Sequence, residues 1–116
     1  MVALRPGADG LATAIRGLIC TYAARHPGVL PAYARANRSV VPEVLREYQH
    51  LLANPIVRGA IKGALPTLRG HGAQVVEHVV SSVQHEPGDL GEVARTYPAW
   101  VRSELLLLID EVGRRL

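Results

Sequence analysis

Val101, Leu105, Leu108, Ile109, Val112 and Leu116 recur at intervals of three and four along the end of the chain. That spacing places all six on one side of an α-helix, whereas in a strand they would scatter over both faces. The same period groups Leu11, Ile15, Leu18, Ile19 and Tyr22, then Val41, Val44, Leu45, Tyr48, Leu51 and Leu52, then Val57, Ala60, Ile61, Ala64, Leu65 and Leu68. Val75, Val76, Val79, Val80 and Val83 are β-branched, which taken alone favours a strand, but their spacing makes one helical face. The expectation is an all-α, compact bundle of four to five main helices with short connecting helices, the C-terminal helix central, in a single α-helical domain over residues 1–116.

Punctuation refines this layout. Asp9 is a candidate N-cap for the first helix, and Pro27-Gly28 stops it. Ser39 to Pro42 opens a second helix reaching about Ala53, and Asn54-Pro55 caps and opens a third. Pro66 should kink or shorten that helix, and Gly70-His71-Gly72 should break it, leaving Ala73 to His85 as a separate element. Asp89 starts a connector to Tyr97, as residues 30–37 form another, and Pro98 begins the last helix. Thr13, Gly17, Cys20, Thr21 and Ala24 give the first helix a small second face that a neighbouring backbone could approach, and Gly59 with Gly63 reads as a close helix contact.

With Phe absent and only five Tyr and Trp in 116 residues, the core must be Leu, Val, Ile and Ala. Twelve of thirteen basic residues are Arg, which reads as the coding bias of a GC-rich, bacterial genome. Cys20 stands alone and can form no internal disulfide, so a cytoplasmic location is expected. The longest unbroken apolar run, Leu105 to Ile109, is far short of the roughly 20 residues that span a bilayer. No secretion signal or membrane partner is expected either. Residues 1–70 carry nine basic and three acidic side chains and residues 71–116 four and seven, an asymmetry suited to internal pairing or to an oppositely charged partner.

The residues that could carry chemistry are few. Glu47 and His50 have the Glu-x-x-His spacing of helical di-iron proteins, but a second copy is missing, and with Glu43 they fall opposite the apolar stripe and should face water. His71, His78 and His85 recur every seven residues, about 10.5 Å per step on a continuous helix, too far for one ion to bridge. They form at most a pH-sensitive surface. Nothing around Cys20 resembles a nucleophile elbow, and no phosphate-binding glycine fingerprint occurs. Neither an enzyme nor a cofactor or metal is therefore expected. Arg58, Lys62 and Arg69 share a sector of the third helix, with Arg35 and Arg38 upstream, a basic stripe through which nonspecific nucleic-acid binding is an alternative reading.

The first helix followed by Arg25-His26-Pro27-Gly28 resembles the helical ligand-binding portion of TetR-like repressors. The DNA-binding unit of that family has no counterpart here, and no site residue carries over. A small-molecule-binding regulatory domain is a second alternative on the same fold. The leading expectation rests on Trp100, Leu106 and Leu107, which widen the apolar surface of the last helix beyond a single stripe. Such a surface suits a non-catalytic protein-interaction module whose partner is another protein chain, and self-association through the C-terminal helix, as in a homodimer, is its simplest form.

Overall fold

The computed structural model describes the backbone of residues 6–115 and the side chains of residues 16–115. Seven helices and no strand occur among the described residues: α1 (Pro6–Arg25), α2 (Val29–Arg35), α3 (Val41–Glu47), α4 (Gln49–Ala53), α5 (Pro55–Gln84), α6 (Asp89–Thr96) and α7 (Pro98–Arg114). The bundle class expected from the aliphatic spacing is the one observed. No helix among the described residues is long and apolar enough to cross a membrane.

The core follows the stripes. Val101, Leu105, Leu108 and Val112 of α7 and all five valines of the second half of α5 are buried. They meet Ile19 and Tyr22 of α1, Leu30 and Ala34 of α2, Val41, Val44 and Leu45 of α3, and Leu90, Val93 and Ala94 of α6 in one continuous cluster. The last helix packs against α1, α3, α5 and α6, and it shares the centre with α5, which packs against α1, α4, α6 and α7.

Several boundaries differ from the sequence expectation. Because α1 already begins at Pro6, Asp9 lies within its first turn and does not cap it; its side chain, with those of Leu11, Thr13 and Ile15, lies outside the described residues. The helix expected from Ser39 to Ala53 is interrupted at Tyr48 (φ −111°, ψ 21°), which divides it into α3 and α4. That break turns the next residues away from the core, so Leu51 is exposed and Leu52 half-buried. The break expected at Gly70-His71-Gly72 is a kink at His71 (φ −131°, ψ 23°), where two helical halves of α5 join, and Pro66, which has no N–H to donate, lies within the first half. Leu68 before this kink and Val75 after it are both buried in the same core, so the two halves of α5 pack against one hydrophobic cluster.

Gly59 and Gly63 lie exposed on α5, and a Cβ on either would meet nothing within 4 Å, so the close packing expected of them does not occur among the described residues. Gly17 is equally open. The close approach is made instead by Gly91, buried at the start of α6, where a Cβ would overlap the Glu86 carbonyl. At the end of α2, Asn37 adopts the left-handed conformation (φ 56°), its N–H donating to Ala34 O (3.2 Å) and that of Arg38 to Tyr33 O (2.9 Å). This is a Schellman stop with asparagine in the usual glycine position, and it aims residues 38–40 at α7.

Candidate interaction surface on the C-terminal helix

Three hydrogen bonds fasten the segment after α2 to the first turns of α7. Trp100 Nε1 donates to the Arg38 carbonyl (2.7 Å). Ser39 Oγ (2.9 Å) and the Val40 N–H (3.3 Å) both donate to Glu104 Oε2. Glu104 is only 6% exposed, and burial pushes its carboxyl above the ordinary glutamate range despite those hydrogen bonds. Glu104 was not among the residues singled out from sequence, although a signal exists: it lies three residues after Val101 and four before Leu108, inside the core stripe.

With its base fixed in this way, α7 turns Leu106 (44% exposed) and Leu107 (37% exposed) outward beside the half-buried Trp100. Two open depressions flank them. One, of about 670 Å³, is bounded by Arg38, Ser39, Trp100, Glu104 and Leu107; the other, of about 180 Å³, by Leu65, Leu68, Arg69, Ile109 and Arg114. They adjoin at Leu106 and Asp110, which line both. The result is an apolar ridge with a cation on each side, Arg38 on the segment after α2 and Arg69 on α5. No carboxylate among the described residues lies within 4 Å of either cation, whereas Asp110 is engaged by Arg114 (2.6 Å). Arg114, one turn beyond Asp110 on α7, also binds Glu111 (2.9 Å).

The remaining candidates are distributed elsewhere. Arg58 and Lys62 follow α5 without an ion pair among the described residues, while Arg35 closes α2, which packs on α6. Arg58, Lys62 and Arg69 are thus all carried on α5, whereas Arg35 and Arg38 lie at and after the end of α2, with α7 between Arg38 and Arg69. His71, His78 and His85 are all exposed; His71 is the kink and His85 caps α5, so the three do not form a column on one straight helix. His85 Nδ1 lies 2.6 Å from the Ser81 carbonyl.

No family model, curated protein or solved structure matches this chain.

Glu43 and Glu47, expected to face water, are instead half-buried and engaged. Glu43 accepts from the Tyr33 hydroxyl (2.9 Å), and Glu47 binds Arg25 (2.7 Å) and His26 (3.0 Å) across the α1–α3 corner. The Arg25 hydrogen bond holds the Glu47 carboxyl below the usual range. His50 is exposed and takes no part. Among the described residues no three His, Cys, Asp or Glu side chains come close enough to share a metal ion. Cys20 is half-buried on α1, its thiol 3.9 Å from Glu86 Oε2, and burial raises its pKa against the opposing pull of Arg16.

Proposed function

We propose that this chain is a non-catalytic helical protein-interaction module that self-associates through the outer face of α7. One observation carries the reading: Leu106 and Leu107 stand exposed side by side, next to Trp100, where two depressions meet. Most other large aliphatic side chains on the described helices are buried or half-buried in the core. Isolated exposed leucines are ordinary on a protein surface, but a contiguous strip with an aromatic at one end and cations at its rim has the composition of an interface centre.

The measurement is the solution mass of the full chain by size-exclusion chromatography with light scattering, over a rising concentration series. Association should raise the mass above the 12.5 kDa of one chain. Replacing Leu106→Glu and Leu107→Glu together should return it to that value with far-ultraviolet dichroism unchanged, since both side chains already face solvent. A parent chain that stays monomeric throughout the series refutes the proposal.

A further inference from the structure

A second surface, on the α1–α6 side of the molecule, has the complementary shape and charge. Cys20, Ala23, Ala24, Pro27, Pro87 and Leu90 line an open depression of about 330 Å³. Its remaining walls are the carboxylates Glu86 and Asp89. Glu86 is paired with Arg16. Asp89 and, one turn further along α6, Glu92 are exposed, and no cation among the described residues lies within 4 Å of either. Arg95, the nearest cation along α6, is turned away, its guanidinium donating to the Gln84 (2.7 Å) and Glu86 (3.1 Å) carbonyls.

The chain thus holds an apolar ridge with guanidiniums at its edges that no carboxylate among the described residues compensates, and an apolar hollow with the uncompensated Asp89 on its wall and Glu92 one turn beyond. Pairing two α7 ridges about a two-fold axis would ring one apolar strip with two copies each of Arg38 and Arg69, and the exposed acid of that face, Asp110, is already taken by Arg114. Setting the ridge of one copy into the hollow of the next brings cations to carboxylates and side chains that project to a surface that recedes. We infer that the self-association proposed above is head-to-tail: Leu106 and Leu107 of one copy dock in the α1–α6 hollow of a second, with Arg38 and Arg69 meeting Asp89 and Glu92. The inference rests on the α7 reading and adds the partner surface. Because ridge and hollow occupy different places on each chain, such contacts do not exhaust themselves in a dimer, and they build rings or open chains.

Cys20 lines the hollow and is the sole cysteine, so a Leu107→Cys variant tests the arrangement directly. Under mild oxidation head-to-tail contact should give a ladder of disulfide-linked species on a non-reducing gel, and Cys20→Ser in the same variant should abolish it. A single linked dimer that survives Cys20→Ser would overturn the head-to-tail inference while leaving α7 self-association standing. Absence of any linked species, with a monomeric parent mass, would overturn both. A second measurement avoids cysteine chemistry: the Leu106→Glu, Leu107→Glu chain and an Asp89→Ala, Glu92→Ala chain should each be largely monomeric alone. Mixed, they should form a dimer and nothing larger, with an affinity that falls roughly tenfold or more between low and high salt. Unimpaired association of the Asp89→Ala, Glu92→Ala chain would exclude the acidic rim from the contact and overturn the inference.

Discussion

Glu104 shows how one buried carboxylate organises the neighbourhood of the candidate surface. Its Oε2 satisfies Ser39 and the Val40 N–H, and Ser39 Oγ in turn accepts from the Val41 N–H (3.2 Å) at the start of α3. Glu104→Ala leaves those donors unpaired in a buried setting and should cost about 1–3 kcal/mol in urea denaturation, whereas Glu104→Gln keeps an acceptor and should cost less. The pH dependence has a definite sign. Since burial raises its pKa, the folded chain holds the Glu104 proton more tightly than the unfolded chain. Stability should therefore fall as pH rises from the ordinary glutamate range through the raised value, and Glu104→Gln should lack that component; superimposable profiles for the two proteins would rule it out. Gly91 is constrained by space alone. Any Cβ there strikes the Glu86 carbonyl, so Gly91→Ala should lower stability by about 1–3 kcal/mol, read from the urea midpoint. Neither residue was prominent in sequence, because both requirements come from atoms distant along the chain or held by a turn: Ser39 and Val40 for Glu104, the Glu86 carbonyl for Gly91.

At the scale of elements, periodicity located the buried faces well and the helix boundaries less well. The valines of α5 and the stripe of α7 are inside as their spacing requires, since burial of an aliphatic face contributes more than the weak helix propensity of valine opposes. Glycine proved the weaker guide. Gly70 and Gly72 do flank the kink at His71, but Gly59 and Gly63 were expected to mark a contact that the fold leaves open among the described residues. Glycine records only that a side chain is dispensable, and a kink, a stop or an exposed helical turn all permit that. An exposed glycine in helical conformation gives away stability, so Gly63→Ala should raise it by about 0.5–1 kcal/mol in a thermal or urea melt. A loss instead would mean that the α5 surface at Gly63 is covered in solution. The break at Tyr48 had no glycine or proline to announce it. It arises where Tyr48 is buried against the core while Leu51 turns outward.

For the whole molecule, the single continuous core implies a single cooperative transition. Trp100, the one tryptophan, bridges α7 to the segment after α2, so its fluorescence should report the same urea midpoint as far-ultraviolet dichroism. A separate, earlier Trp100 transition would show that this corner opens by itself. The intervals of three and four in the sequence determined that the chain is helical and which sides of α5 and α7 are buried, because a helix carries each residue through a nearly constant angle and water rejects the aliphatic side. Tertiary structure alone decided what stands at the ridge. It set Arg38 and Arg69 on opposite sides of α7, joined Glu104 to Ser39 and Val40, and gathered Cys20, Pro87 and Leu90 into a hollow edged by Asp89. Those neighbours come from different helices, and their meeting depends on how the helices cross, a quantity set by the shapes of many packed side chains together and by no local pattern in the chain.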